Sequence, residues 1–159
     1  MTDRHALVEV SLRPASLADL EWLADLRAIV LRDDLERLGR YDAARVRQRL
    51  RDAYDPSVTQ IIVVDGADAG AVAIRREDDT HWLEHFYLAP SHQGRGVGGR
   101  ILTMILQDGL LYRLNVLQGS AAQRLYERHG FVMEREDEVD VFMIGDRTGG
   151  DRRVGGPLS

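Results

Sequence analysis

A glycine-rich segment, residues 93–98, has the composition expected of a phosphate-binding turn. It reads Gln-Gly-Arg-Gly-Val-Gly, follows an apolar run predicted as a strand over residues 82–88, and precedes a proline-free helical pattern over residues 96–107. A helix N-terminus leaves backbone N–H groups without intrahelical partners at the positive end of the helix dipole. Glycine has no Cβ, so its backbone can approach phosphate oxygens closely. The segment therefore predicts an anion site for a phosphate-bearing ligand.

Two nucleotide-binding motifs compete for this segment. Gly94, Gly96 and Gly99 form a literal G-x-G-x-x-G, but residues 90–93 separate the predicted strand from the first glycine. No acidic residue stands about 20 positions further on to bind a ribose hydroxyl, and too few residues remain for a doubly wound sheet. A P-loop is excluded because no Gly-Lys-Ser/Thr follows. From the turn alone, a ligand site and a helix start without a ligand stay equally open.

Three side chains could carry protons, two in the predicted strand before this turn and one in a later predicted helix. Tyr126 lies in a predicted helix over residues 121–128, where its alternative role is to pack against the core. Glu84 and His85 lie in the predicted strand before the turn and could accept a proton, or simply form its solvated rim. His81 stands four residues from His85, but that spacing does not converge on a metal along a strand, and no metal site is predicted.

Composition limits the class of protein. A length of 159 residues fits one domain with a substantial core, and the net charge of −5 gives no reason to expect nucleic acid. No apolar run has the length of a membrane span, and the N-terminus lacks the apolar core of a signal peptide. The absence of cysteine excludes disulfides and thiolate chemistry. We expect a cytoplasmic protein with no nucleic-acid or membrane partner, either a monomer or a homodimer.

The elements that must position these residues follow an alternating strand and helix pattern. Strands are predicted over residues 8–12, 61–64, 70–74, 82–88, 111–117 and 139–144, and helices after the Ser16 cap and over residues 42–54, 96–107 and 121–128. The helix over 121–128 is expected to end at Gly130 in the left-handed conformation, with Phe131 as an apolar anchor. This order predicts a mixed α/β domain over residues 1–145. Residues 146–159, rich in Gly and Arg, are predicted to form a disordered tail.

The glycine-rich segment and a second motif about 30 residues downstream together resemble the pattern of the GCN5-related N-acetyltransferase (GNAT) superfamily. The residues that carry the resemblance are Leu88-x-Pro90-x-x-Gln93-x-x-Gly96-x-Gly98, then Leu114-x-Val116 and Leu125-Tyr126-x-x-x-Gly130-Phe131. The opening Leu12-Arg13-Pro14-Ala15 with Asp19-Leu20 is also similar, so the resemblance spans residues 8–144. It implies a single α/β domain with a mixed, mostly antiparallel sheet flanked by helices. It also implies a V-shaped cleft between the two central strands.

The resemblance implies an enzyme that transfers an acetyl group from acetyl-CoA to a primary amine of a small molecule or peptide by direct attack. The implied coenzyme-binding residues are the backbones of Phe86 and Leu88 and the turn residues Gln93, Gly94, Arg95, Gly96, Val97 and Gly98. A strand N–H, that of Phe86, is implied as the oxyanion donor and Tyr126 as the general acid. Glu84 is the first candidate base, expected by strand alternation on the face of Phe86 and Leu88, and His85 is the second. A non-catalytic acyl-CoA-binding or regulatory domain is the alternative.

The sequence departs from the family pattern in two places, at the start of the last predicted helix and in the stretch that contains the helix before it. Gly119-Ser120-Ala121-Ala122 replaces an asparagine-containing start, so Ser120 is expected to cap the helix. The stretch between Gly98 and Leu114 is short, which predicts a lost helical turn or a strand that starts abruptly at Gly109.

The acceptor is the least defined part of the prediction. An acidic cluster within residues 134–140 would favour a cationic amine, although a solvated turn explains it as well. The arginines at positions 45, 47, 49 and 51 are expected to form one solvated helix face.

Overall fold

The structure, a computed structural model, describes residues 8–148. The described elements are seven strands and four α-helices: β1 (Val10–Pro14), α1 (Leu20–Arg37), α2 (Ala43–Ala53), β2 (Thr59–Val64), β3 (Ala67–Glu77), β4 (Thr80–Leu88), α3 (Val97–Ile105), β5 (Leu111–Leu117), α4 (Ala122–Arg128), β6 (Val132–Glu136) and β7 (Asp140–Asp146). Short 3₁₀ turns precede α1, β2 and the glycine-rich segment. Most of the predicted tail lies outside the described residues.

All seven strands form one sheet with the order β1-β2-β3-β4-β5-β7-β6. Every neighbouring pair is antiparallel except β4 and β5, which run parallel at the centre. The mixed, mostly antiparallel sheet confirms the predicted fold class, and it rules out the doubly wound parallel sheet of a dinucleotide-binding domain.

Helices cover both faces of the sheet. On one face, α1 and α2 pack through Leu23, Leu26 and Leu50 onto Ile61 and Tyr87. On the other face, α3 and α4 pack through a larger cluster whose fully buried members include Val97, Ile101, Leu102, Tyr112, Leu114, Phe131 and Met143. The central strands β4 and β5 therefore lie between two apolar layers, which holds the ends of both strands in fixed positions.

Local sequence signals explain where several helices begin and end. Ser16 and Asp19 form a capping box before α1, and the carboxylate of Asp42 accepts a hydrogen bond from the Arg45 backbone at the start of α2. Asp19 also accepts hydrogen bonds from Arg13 and from the indole of Trp22. These contacts join the first strand to the first helix.

Several boundaries differ from the sequence prediction, and one strand was missed. Helix α3 ends at Ile105 instead of residue 107, and Gly109, at a φ of +87°, turns the chain into β5. The strand β1 begins two residues later than predicted, at Val10. The exposed edge strand β6 was not predicted at all, because none of its residues is buried and apolar alternation is absent.

No helix in the described part of the chain combines the length and the apolar character needed to cross a lipid bilayer.

Candidate active site

The parallel pair β4 and β5 separates after three residues. The pairing runs from Thr80↔Leu111 to Trp82↔Arg113 and then stops, although β4 continues to Leu88. Backbone groups of a strand alternate between its two neighbours, so the unpaired part of β4 keeps N–H and C=O groups facing the gap. The gap is the predicted V-shaped cleft, and it offers an extended ligand a strand edge with which to pair.

The glycine-rich segment carries a row of unpaired donors at the N-terminus of α3. The first backbone hydrogen bond into the helix runs from the Arg100 N–H to the Gly96 carbonyl. Within residues 8–148, none of the six backbone N–H groups of residues 94–99 donates to a protein acceptor. Their position at the positive end of the helix dipole makes this segment an anion site.

The glycines of this segment have two different structural functions. Gly94 and Gly96 adopt φ values of +75° and +79°, and a Cβ at either position would meet no atom within 4 Å. Their requirement is therefore conformational. A Cβ on Gly98 would lie 3.1 Å from the Leu125 side chain, so this glycine lets α3 approach α4 closely. The left-handed residues turn the N–H groups outward, while Gly98 keeps the helix against the core.

The side chain of Gln93 stabilises the turn from within. Its Nε2 donates to the Leu88 carbonyl at 2.8 Å, which ties the end of β4 to the start of the glycine segment. The Leu88 carbonyl is thus already engaged by the protein. The side chain of Arg95 is exposed and makes no hydrogen bond to another described residue. It stands at the anion site without a protein partner that would compete with a ligand.

A β-bulge at His85 changes which residues of β4 share a face. The register jumps between Ala71↔Tyr87 and Ala73↔Glu84, and His85 has a φ of +50°. Leu83, not Glu84, packs in the same cluster as Phe86 and Leu88. The prediction that Glu84 lies on the face of Phe86 and Leu88 is therefore wrong, because strict alternation does not survive the extra residue.

Glu84 lies on the face of α1 and forms a bidentate ion pair with Arg75. The guanidinium donates to both carboxylate oxygens, at 3.1 and 2.9 Å. The pair is partly exposed, with 43% of the Arg75 side chain and 29% of the Glu84 side chain accessible. Glu84 is thus oriented by a neighbour on β3, and it can exchange a hydrogen bond with solvent or with a ligand.

His85 and Tyr87 share a hydrogen bond inside the cleft. Nδ1 of His85 lies 3.1 Å from the Tyr87 hydroxyl oxygen, which accepts a hydrogen bond from Nε of Arg27 at 2.8 Å. Burial lowers the pKa of His85, and the nearby Arg27 and Arg75 lower it further against the opposing effect of Glu84. The imidazole is therefore neutral at pH 7.

Tyr126 is buried in α4 and faces the cleft. Burial raises the pKa of its phenol above the usual value, so the hydroxyl keeps its proton at neutral pH. The ring packs against Phe86 and, edge to face, against Phe131. The helix ends two residues later, at Arg128, in a Schellman motif with the Phe131 N–H bonded to the Tyr126 carbonyl and Gly130 at a φ of +91°.

One cavity of about 410 Å³ brings most of the predicted catalytic residues together. Glu84, His85, Phe86 and Tyr126 all line it, whereas Leu88 and residues 93–98 lie outside its lining. This cavity, called the chamber below, is thus separate from the glycine-rich segment, and the free edge of β4 runs between them. Sequence reasoning missed Arg27, Arg75 and Tyr87, because ion pairs and hydrogen bonds between distant elements leave no local pattern.

The acidic cluster predicted as a candidate acceptor site is mostly engaged in local structure. Glu134 pairs with Arg113, Glu136 accepts from Gln118, and Asp137 accepts from backbone N–H groups of its own turn. Among its members only Asp140 lines the cavity. The geometry favours the interpretation of this cluster as a solvated turn.

The start of α4 departs from the predicted cap by one residue. The hydroxyl of Ser120 accepts a hydrogen bond from the Ala122 N–H at 3.1 Å, although the residue directly before the helix is Ala121. Ser120 also lines the cavity, so this first turn closes one end of the chamber that contains Tyr126.

Comparison with known proteins supports this geometry. Residues 57–133 match the family model of the acetyltransferase (GNAT) domain, a range that contains β2 to β5, the glycine segment and Tyr126. No curated protein sequence matches the chain significantly.

Solved structures share the fold at low sequence identity. An N-acetyltransferase from Staphylococcus aureus Mu50 is 18% identical with a TM-score of 0.64, covering 84% of this chain and 99% of that chain. The PaiA N-acetyltransferase from Thermoplasma acidophilum in complex with coenzyme A is 18% identical with a TM-score of 0.65, covering 87% of this chain and 99% of that chain. The N-acetylglutamate synthase from Neisseria gonorrhoeae, complexed with coenzyme A and N-acetyl-glutamate, is 20% identical with a TM-score of 0.63, covering 87% of this chain and 35% of that chain.

Proposed function

We propose that this chain, whose residues 57–133 match the acetyltransferase (GNAT) domain, transfers an acetyl group from acetyl-CoA to a primary amine of a small molecule or peptide. The observation that carries the proposal is the alignment of three features along one path. Free N–H groups at the glycine segment, the unpaired edge of β4, and the phenol of Tyr126 follow one another around the cleft. A pyrophosphate, an extended arm and a reacting thioester need these features in this order.

The residues present fit coenzyme A. The N–H groups of residues 94–98 would hold the pyrophosphate, with Arg95 adding a charge-assisted contact, and Gln93 would keep the turn in place. The free edge of β4 at Phe86 and Leu88, apart from the Leu88 carbonyl that Gln93 already engages, would hold the extended arm by backbone hydrogen bonds. When bound, acetyl-CoA supplies an activated thioester whose carbonyl carbon forms a bond to the amine nitrogen as its bond to sulfur breaks.

Three groups of this chain support that chemistry. The backbone N–H of Phe86, at the bulge, donates to the oxygen on which negative charge develops. Tyr126 donates a proton to the departing sulfur, since its raised pKa keeps the phenol protonated until that step. Burial of Tyr126 excludes water, which strengthens both interactions.

A base must remove a proton from the amine. We keep Glu84 as the proposed base, because it lines the same cavity as Tyr126 and its Arg75 partner orients the carboxylate. To act, Glu84 exchanges one of its two hydrogen bonds to Arg75 for the amine or for a bridging water. His85 is the second candidate, since its imidazole is neutral at pH 7 and lines the same cavity.

Thermal shift followed by thiol release tests the proposal. We expect acetyl-CoA and CoA to raise the melting temperature and NAD to leave it unchanged, and we expect free thiol to appear when an amine panel is added to acetyl-CoA. Stabilisation by acetyl-CoA without thiol release over the panel would favour the alternative, a non-catalytic acyl-CoA-binding or regulatory domain. Stabilisation by NAD alone would contradict the proposal.

A further inference from the structure

The arginines of α2 divide into two groups with different surroundings. Successive residues of an α-helix are about 100° apart, so positions two residues apart face nearly opposite ways. Arg47 and Arg51 face α1 and form ion pairs with Asp25 and Glu21. Arg45 and Arg49 face the cleft, line its cavity, and form no ion pair within residues 8–148. The expected single arginine face therefore does not exist.

The cavity end beside α2 carries an excess of unneutralised positive charge. Four arginines line the cavity, Arg27, Arg40, Arg45 and Arg49, against three carboxylates, Asp34, Glu84 and Asp140. Each carboxylate already accepts a hydrogen bond, from Arg37, Arg75 and Asn115 respectively. Asp34 and Glu84 are therefore paired with arginines that do not line the cavity. The arginines that do line it keep most of their positive charge for a ligand.

Arg27 connects this positive end to the rest of the chamber. Its Nε donates to the Tyr87 hydroxyl and its Nη1 donates to the Val46 carbonyl, which fixes the guanidinium between β4 and α2. A guanidinium has five N–H donors, so some remain for a ligand. Arg27 therefore connects Tyr87, the hydrogen-bond partner of His85, to the segment of α2 that carries Arg45 and Arg49.

From this arrangement we infer that the acceptor is a primary amine that also bears a carboxylate or phosphate group. The anionic group binds Arg45 and Arg49 at the α2 end, and Arg27 orients the part of the molecule between that group and the amine. The inference rests on the proposed function, because it assigns the amine of the same molecule to the chamber of Tyr126 and Glu84. Arginine suits this function since its planar fork binds carboxylate or phosphate with two hydrogen bonds.

Equilibrium binding to the CoA-saturated protein tests the inference directly. The probes are linear ω-amino acids and ω-aminoalkyl phosphonates of increasing length, each paired with the neutral alkylamine and with the diamine of equal length. We expect at least one anionic amine to bind about tenfold or more tightly than its neutral and cationic counterparts, since hydrogen bonds between charged groups are about twice as strong as neutral ones. Equal binding across each set, or no binding by any anionic amine, would overturn the inference.

Paired double variants locate the site. R45Q/R49Q should raise the Kd of the anionic amine at least about tenfold. R47Q/R51Q removes the same charge from the same helix and should change this Kd less than about twofold. Circular dichroism confirms that both variants are folded. If R45Q/R49Q weakened acetyl-CoA as strongly as the amine, the arginines would serve the coenzyme and the inference would fail. Thiol release in the presence of the bound amine tests the proposed function separately. If the amine binds but no thiol is released, the proposed acetyl transfer is contradicted, whereas the inferred binding site is not.

Discussion

The ring of Tyr126 on α4 packs against the ring of Phe86 on β4, with their centroids 6.4 Å apart at a tilt of 55°. This contact spans the point where the sheet opens, and it places the phenol beside the strand residue whose backbone N–H is the proposed oxyanion donor. A helix that ends at Arg128 and a strand that bulges at His85 together determine this relation.

Replacing Tyr126 by phenylalanine should lower kcat by about 100-fold or more, because the departing sulfur loses its proton donor. The Kd for acetyl-CoA should change little, since the ring that packs against Phe86 and Phe131 is retained. Steady-state kinetics and isothermal calorimetry measure the two quantities. Tyr112→Phe is the matched control: its hydroxyl bonds the Gln107 backbone outside the cavity, so kcat should stay the same. Unchanged kcat in Tyr126→Phe would reduce Tyr126 to a packing residue.

Replacing Glu84 by glutamine should lower kcat/KM by about 100-fold, because the amide cannot accept the amine's proton. His85→Gln should lower it less than about tenfold. The pH dependence of kcat/KM separates the two candidates. If His85 is the base, activity falls as pH drops through a pKa below 6.5, because burial lowers the pKa of His85. The opposite order of effects in the two variants would move the assignment from Glu84 to His85.

Replacing Gly96 by alanine should weaken acetyl-CoA by about tenfold, because a Cβ disfavours the positive φ that turns the N–H groups toward the ligand. Gly66→Ala is the control, since Gly66 has a φ of +83° and open space around it but lies in the β2–β3 hairpin. Both variants should lose about 1 kcal/mol of stability, or about 2–4 °C in Tm. Equal coenzyme affinity in the two proteins would remove the anion site from residues 94–99.

Replacing Asp19 by asparagine should destabilise the fold by about 2–4 kcal/mol, because a buried carboxylate with cap and ion-pair contacts is lost. Arg13 and Trp22 hold the pKa of Asp19 well below its usual value of 3.8. The unfolded chain therefore binds more protons as pH falls below 3.8, and the stability that Asp19 contributes is lost there. Urea unfolding at several pH values measures this effect: below pH 3.8 the free energy of unfolding should fall less steeply with decreasing pH in Asp19→Asn than in the natural protein.

The control for Asp19 is Asp25→Asn, whose side chain is 63% exposed and pairs with Arg47. An exposed ion pair contributes about 0–1 kcal/mol, so the free energy of unfolding of this variant should be nearly that of the natural protein. If the two variants lost equal stability, the capping box before α1 would have no special importance.

The sequence alone determined the class of fold, and it predicted the glycine-rich helix start and several of the residues that line the cavity. These features depend on local signals: glycine where φ is positive, a Schellman stop at Gly130, and apolar runs of strand length. Each signal is written within about one helical turn or one strand, so it can be read without knowing what lies opposite.

Only the tertiary structure decided how those residues are used. The bulge at His85 moved Glu84 to the other face, and Arg75, Tyr87 and Arg27 came from other elements to engage the candidate bases. The arginines of α2 separated into paired and unpaired groups because α1 covers only one side of the helix. Register shifts and partners distant in sequence arise from packing between elements, and a periodic pattern within one element does not contain them.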